Sequence, residues 1–463
     1  MRESWLLKAI GSVALWSFIL WADPLGVETA TDKSSLDLFQ RVYSPHYRTS
    51  NQDKIYVVLI QDEDLPLRGD GPPSWPPDYE DYAALIDVLR GNHEYKPAGI
   101  FLDILFENVP AAGEGISNLC AQASVATSGG VPVIFARLPD FEADNAPLPS
   151  ALRLCEEEIE TAAVGWQADA GFYPFSVTAD GTVHPTAAAA LYNTANNQDV
   201  FDDLERTSNQ FSVGGNRNEL RTVWGAATPG TKADGCKKYR GGVVEKLGHS
   251  GQIFLNGLIP QRISRDAYEY VQPCTFHAIK SARDLLAMSV DEREYLSAEL
   301  EGSVILVGVN VDGIPDFVDS PVHGLLPGVF MHAMALDNML TLGPAYLRDA
   351  PQITLPAGGF GLGADIIVQT LLLLGLALML AVSRGRAPSE ADDVKSKFSL
   401  VRRWSAGLAF NLIIFTHFSL VVAAVVIITL SVMHWAPLNY GGLLLVAAAM
   451  IFSKNPSNSA PGR

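Results

Sequence analysis

Charge is scarce in this chain of 463 residues. Only 18% of the residues are Asp, Glu, Lys or Arg, against about 25% in ordinary soluble domains. Basic charge is scarcer still, with 33 Lys and Arg facing 51 Asp and Glu for a net −18. No basic stripe is left to neutralise phosphates, which excludes nucleic acid as the partner. Cysteine is limited to four residues, Cys120, Cys155, Cys236 and Cys274, and no two are in CxxC spacing. That argues against structural zinc. Neither GxSxG nor HExxH occurs, so there is no nucleophile elbow and no zincin helix. Internal repeats and long heptad runs are also missing. These absences leave no catalytic residue, metal site or cofactor to name, and the low charge argues against an ordinary cytosolic enzyme.

What is abundant is apolar sequence, 48% of the chain, concentrated in four runs at the two ends. Residues 5–21, 366–383, 408–433 and 435–453 each approach the ~20 apolar residues of a membrane-spanning helix. The first, with Arg2 and Lys8 near its start, also fits a signal peptide. The last, with Pro437 and Asn439 at its mouth, also fits an interfacial or re-entrant helix. The loop 384–403 carries Arg384, Arg386, Lys395, Lys397, Arg402 and Arg403, and a loop so basic belongs in the cytoplasm. The tail 454–463 joins it there, and residues 30–350 are then extracytoplasmic. All four cysteines fall in that segment, where disulfides persist. Sequence proximity favours Cys120–Cys155 and Cys236–Cys274 among the three pairings that four cysteines allow, with buried free thiols as the alternative.

Within the external segment, strands and helices alternate. Ile55 to Ile60, Gly99 to Leu105, Val131 to Ala136 and Ser303 to Val309 are continuous apolar, β-rich runs, the mark of strands buried on both faces. Ala162 to Trp166 and Tyr173 to Val177 are shorter strand candidates. Asp78 to Leu89 opens on a capping Asp and keeps helical spacing; Ile116 to Thr127, Thr186 to Tyr192 and Val329 to Leu340 also read as helices. Residues of about 195–300 are polar and Gly/Asn-rich, and read as an inserted subdomain capping the sheet. The expected class is α/β: a mainly parallel-sheet extracytoplasmic domain with an insertion, plus four transmembrane α-helices.

Several stretches resemble the CHASE2 domain, a sensory module of bacterial receptors. They are KIYVVLIQDEDL (Lys54 to Leu65), SWPPDYEDYAALIDVL (Ser74 to Leu89), AGIFLDILF (Ala98 to Phe106), GFYPFSVTADGTVHPTAAAALY and GSVILVGVNVDGIPDFVDSPVHGLLPGVFMHAMALDNML (Gly302 to Leu340). One helix before the domain and three after it match the family layout. The chain departs from the family pattern at Pro77 and Asp78, where an Arg is common, and in the length of the insertion. After the last helix there is no phosphate loop, HRD or DFG pattern. The resemblance implies an inner-membrane sensor with its large domain in the periplasm, binding an unidentified extracytoplasmic ligand. It further implies a separate kinase- or cyclase-type signalling partner, with a second copy of the chain as another candidate partner. An extracytoplasmic metal-assisted hydrolase and a structural subunit of a membrane complex are the other two readings.

Ligands of open α/β sheets bind beyond the carboxyl ends of the strands. The candidates there are Asp62 and Asp64 after the first strand, Asp103 and Glu107 after the second, and Asp312 and Asp316 after the late one. Such carboxylates suit a cation, and equally they cap helices and satisfy loop amides. Trp75 is a stacking candidate or a packed turn residue. His323 and His332 lie nine apart, without a visible third ligand. In the third apolar run Asn411, Thr416 and His417 suit helix–helix hydrogen bonds, and Ala406, Gly407, Gly441 and Gly442 suit close helix packing.

Overall fold

The computed structural model describes residues 27–69, 73, 75–106, 114–138, 152–155, 159–165, 171–179, 182–196, 219–226, 246, 248, 250, 275–314, 316–343, 346–348, 350, 352–354, 361–385, 397–436 and 439–452. They fall into two compact units. One comprises Gln40–Ser212 and Arg217–Tyr346, and the other the chain up to Phe39 and from Leu347 on.

The first unit is built on a six-stranded sheet. Its strands are β1 (Ile55–Gln61), β2 (Gly99–Leu102), β3 (Val133–Arg137), β4 (Glu160–Ala163), β9 (Ala278–Ser281) and β10 (Val304–Asn310), with β5 (Phe172–Pro174), β6 (Ser176–Ala179), β7 (Thr182–Pro185) and β8 (Glu219–Arg221) forming small antiparallel pairs beside it. The sheet order is β4-β3-β2-β10-β1-β9, and every neighbouring pair is parallel. β10 therefore separates β1 from β2, with Ile55 opposite Val304 and Ile100 opposite Ile305.

The connections β1 to β2, β2 to β3 and β9 to β10 all step the same way across the sheet. Crossovers of one hand place their helices on one face. Those helices are α2 (Tyr79–Leu89), α3 (Glu114–Ser128), α5 (Ala282–Ala287) and α6 (Val290–Glu299). They share a core with Tyr56, Val58, Ile60, Ile100, Leu102, Val133, Phe135, Ile305 and Val307. Side chains alternate along a strand, so the intervening residues face the other side. There α7 (Val329–Leu342) covers β1 and β10, and α4 (Ala187–Asn196) covers β2 to β4. At Gly308 of β10 a Cβ would run into the side chain of Val329, so this glycine lets the start of α7 lie directly on the strand. A disulfide joins Cys120 of α3 to Cys155; Cys236 and Cys274 lie outside the described residues.

Several expectations need correction. The stretch 195–300 is not purely a capping insertion. Its end supplies β9, the edge strand of the main sheet, together with α5 and α6, and Glu219–Arg221 pairs with β5. The strand pattern of β9 (AIKS) escaped notice because an edge strand needs no continuous apolar run. The fourth candidate strand ends at Ala163, and Tyr173 and Val177 belong to two different strands, β5 and β6. Asp78 occupies the cap position of α2 without a side-chain hydrogen bond; its carbonyl accepts from Asp81 N–H.

The second unit is helical. It contains α1 (Val27–Tyr43) as far as Phe39, and α8 (Ala364–Gly385), α9 (Lys397–Ile428) and α10 (Tyr440–Phe452). α8, α9 and α10 pack along stripes of helical spacing: Leu373, Leu376, Ala377 and Leu380 meet Ile414, Phe418 and Val422, and Leu443, Val446, Ala447 and Ile451. One described helix is long and apolar enough to cross a membrane, Leu408–Ile428 with 21 residues. At 1.5 Å per residue it reaches about 31 Å, the thickness of a bilayer core. Ala364–Leu380 and Tyr440–Phe452 are shorter apolar helices, and 5–21 lies outside the described residues. α9 begins at Lys397, within the basic segment 384–403, and its apolar span begins at Leu408.

Polar residues of this unit mostly serve their own helix. Thr416 Oγ1 donates to Leu412 O and His417 Nδ1 bonds Ile413 O, so the bonds seen for both among the described residues lie within their own helix. The cross-helix contact lies elsewhere. Gly442 N–H donates to Asn439 Oδ1, Asn439 Nδ2 donates to Thr31 Oγ1, and Gly441 N–H donates to Ser35 Oγ. A Cβ on Gly441 would press on Ser35 Oγ, so the glycine lets α1 and the start of α10 come this close.

Candidate functional site

The structure separates the strand-end carboxylates into two groups. In the first, Asp62 and Asp64 follow β1, and Asp312 follows the neighbouring β10. Asp62 Oδ2 accepts from Asp312 N–H at 3.0 Å. Asp64 accepts from Ser281 Oγ at 2.7 Å and from Gln61 N–H at 2.9 Å. Burial pushes the Asp64 carboxyl up, and those two donors pull it back. These are the loop-tying roles that carboxylates after strands commonly fill, and they fasten β1 to β9 and to the turn after β10. Trp75 is likewise a packing residue, half-buried against the α2/α3 core. Glu107 lies outside the described residues.

Asp103, Asp316 and His332 form the second group. Asp103 follows β2, and its odd number turns it to the α7 side, as it does Phe101, whose ring meets His332 edge-on. Its backbone is fixed by an N–H bond to Val307 O of β10. His332 Nε2 stands 3.5 Å from Asp103 Oδ2, with both side chains under a tenth exposed. On its other nitrogen, His332 Nδ1 is 2.8 Å from the hydroxyl of Tyr173 on β5. That hydroxyl also accepts from Ala188 N–H at 2.9 Å, so Tyr173 links His332 to the start of α4.

Asp316 lies on the turn after β10, before β11 (Phe317–Ser320) and β12 (Gly324–Pro327). Its carbonyl accepts from Gly328 N–H at 2.9 Å, and its carboxylate lies where a Cβ on Gly328 would stand. Gly328 precedes the first residue of α7, so a negative charge there also meets the positive end of the helix.

Burial dominates the electrostatics of this group. It pushes the Asp103 carboxyl up to about 7 and lowers His332 to about 4, with Asp316 opposing the fall. Asp316 is raised to about 6, first by burial, then by the Asp103 charge, against the pull of His332. Burial also raises the Tyr173 hydroxyl. Between those two values the Asp103 carboxyl keeps its proton and His332 is a neutral imidazole, so at mildly acid pH the contact is between two neutral groups and is not an ion pair.

His323 does not join this group. Its Nε2 donates to Gly225 O at 2.8 Å and its ring meets Trp224. Among the described residues no three His, Cys, Asp or Glu side chains are arranged to ligate a metal ion. Nothing local singles out Tyr173 for this role, because the contact joins residues 159 apart and a lone tyrosine in a short strand carries no motif.

The family model of the CHASE2 domain matches residues 12–377. The chain belongs to the CHASE2 domain family. CHASE2 domains are extracytoplasmic sensor modules of membrane proteins. The match covers the six-stranded sheet, both groups of carboxylates and most of α8. No curated protein and no solved structure matches the chain.

Proposed function

We propose that this CHASE2 protein is a non-catalytic sensor of the bacterial inner membrane. Its α/β unit lies in the periplasm and detects a signal; its helices cross the membrane several times and pass the signal to a separate partner with kinase or cyclase chemistry. The observation that carries the reading is the family match over residues 12–377. Two structural features support it. The disulfide Cys120–Cys155 suits an oxidising compartment. The helix Leu408–Ile428 carries large apolar side chains on its exposed as well as its buried face: Leu412, Ile413 and Leu420 are exposed while Ile414 and Phe418 are buried. A helix apolar on both faces suits a membrane or a large core.

Signal transfer requires a ligand with different affinities for two arrangements of the chain. The Asp103, Asp316, His332 and Tyr173 group is the place in the α/β unit where such a preference is most readily built, since burial and charge there are already in opposition.

Two experiments test the reading. A phosphatase that is active only in the periplasm is fused after Tyr346, and separately within the basic segment before Lys397. Activity in the first fusion and silence in the second is expected; the reverse pattern overturns the reading. The intact protein is then purified gently from its native membrane and its companions are identified by mass spectrometry. A kinase or cyclase recovered in fixed proportion is expected. Recovery of the protein alone, in a preparation where a control complex stays intact, counts against a stable partner.

A further inference from the structure

Two carboxyls and a histidine rarely share a buried site without a cation to balance them. Among the described residues, the titratable groups set against Asp103 are His332 from α7, Asp316 from the turn after β10, and Tyr173 from β5. α4 contributes only the backbone N–H of Ala188, given to Tyr173. Arg137 of β3 shares the parity of Val133 and Phe135 and so faces the α2/α3 core.

The three elements are held unequally. Asp103 is anchored at both ends of its environment: its own N–H is bonded to β10 and its carboxyl faces a histidine fixed by Tyr173. Asp316 lies on a turn, and the bond from Gly328 N–H to its carbonyl ties that turn to the start of α7. As pH rises Asp316 ionises first, at about 6, over the positive end of α7, and until Asp103 loses its proton near about 7 the site holds at most one carboxylate. Once both have ionised, two like charges act on each other in a low dielectric with a neutral imidazole between α7 and Asp103. The repulsion is relieved by Asp316, which lies on a turn, while the Asp103 backbone is bonded to β10.

We propose that the Asp103, His332 and Asp316 group is a proton-operated latch, which holds the turn carrying Asp316 against the start of α7 while Asp103 is protonated and frees it when Asp103 ionises. The latch rests on the sensor reading for its purpose, and it names the signal of that sensor as hydrogen ion. Burial places the Asp103 titration at about 7, inside the range over which most bacteria live. The moving part is the start of α7, the helix that Gly308 allows to lie directly on β10.

The test uses the full chain in detergent micelles. Hydrogen exchange of the amides from Asp316 to Gly328, corrected for intrinsic rate, is compared at about pH 5.5 and about pH 8.5. Gly328 N–H is the direct reporter. Protection is expected to fall on the order of tenfold at the higher pH in the wild-type chain. The fall should vanish in Asp103→Asn, which keeps the latch shut, and in Asp316→Asn, which removes the repelled charge. Equal protection at both pH values in the wild type overturns the proposal, as does the same fall in either variant.

Should Asp103→Asn not fold, the infrared band of a protonated buried carboxyl is followed in the wild type and in Asp316→Asn. Its disappearance across the same pH interval in both supports the assignment, and a band that does not respond to pH overturns it. The fusion experiment stands apart. A cytoplasmic α/β unit sinks the sensor reading while leaving the exchange result intact, and a missing exchange effect sinks the latch alone.

Discussion

Tyr47 donates a 2.7 Å hydrogen bond to Oδ1 of Asp337, joining residues 290 apart in the chain. Both are buried, Asp337 completely. The bond ties the segment that follows α1 to the middle of α7. His277, at 3.3 Å from Asp337 Oδ2, brings in the start of β9. Thr341 adds a bond to Asp337 Oδ1, and Asn338 Nδ2 donates to the Tyr47 hydroxyl and to Val223 O. Burial and the Asp337 charge raise the Tyr47 hydroxyl well above its ordinary value, so it stays a donor. Tyr47→Phe leaves a buried carboxylate short of one donor. Such a loss costs roughly 1–3 kcal/mol. A lower melting temperature of the full chain is expected, with Asp337→Asn also lower. A variant melting with the wild type would show that the network is dispensable.

The Cys120–Cys155 disulfide closes a loop with sequence separation 35. The chain-entropy model assigns such a loop about 3–4 kcal/mol. The double variant Cys120→Ser, Cys155→Ser is expected to melt lower by that order, and non-reducing peptide mapping of the wild type should recover the linked pair. Free thiols at both positions in protein taken from the native membrane would contradict the structure.

Gly308→Val is expected to be more damaging than its modest change in volume suggests. The new side chain meets Val329 and pushes α7 off the sheet, and overpacking of this kind costs about 1–3 kcal/mol. Gly328→Ala acts on the turn instead, because its methyl competes with the Asp316 carboxylate. The two variants should therefore differ in kind: Gly308→Val lowers the melting temperature at every pH, and Gly328→Ala chiefly raises hydrogen exchange near Asp316. Identical effects would mean that the two contacts are not separate.

Stability should depend on pH through the Asp103 group, with opposite signs for its members. Asp103 resists ionisation in the fold up to about 7, while an unfolded Asp ionises near about 4. As pH rises between those values, the unfolded chain releases its proton first and stability is withdrawn; above about 7 the loss is complete. His332, lowered to about 4, loses stability as pH falls from about 6.5 towards that value, because the unfolded chain takes up the proton first. Asp103→Asn removes the first effect and keeps the second. Its melting temperature relative to wild type should be higher at about pH 8 than at about pH 4.5. A constant difference across that range would deny Asp103 its shifted titration.

Much of the sheet was legible because a strand buried on both faces has to be apolar throughout. IYVVLI, GIFLDIL and SVILVGV announce β1, β2 and β10 in that way. The order of those strands was not legible, since nothing local in residues 303–309 says that they enter between β1 and β2. β9 was missed for the converse reason: at the edge of the sheet it needs only partial burial, and its Lys280 stem reaches Glu299 at 2.8 Å. Among the site residues, the strand-end positions of Asp62, Asp103 and Asp316 were plain in the sequence. Which carboxylates are taken up by hydrogen bonds at the end of β1 was not, because Ser281 and Asp312 reach Asp64 and Asp62 from more than two hundred residues away. In the helical unit, length was overstated for the last run: it is apolar from 435 on, but Asn439 caps a helix that begins only at Tyr440.

The place of β10 has a consequence for synthesis. β1 and β2 have no pairing with each other and must wait for residues 304–310 to arrive between them. Until then the two most apolar strands of the nascent chain stand with open edges, for the time it takes to make some two hundred further residues. Open edges of this kind are where chains pair wrongly. A protein exported while it is being made would thus cross the membrane as an unfinished sheet, dependent on holding chaperones at the exit. A chain cut short anywhere before Val304 would leave a substrate for proteolysis, not a smaller domain.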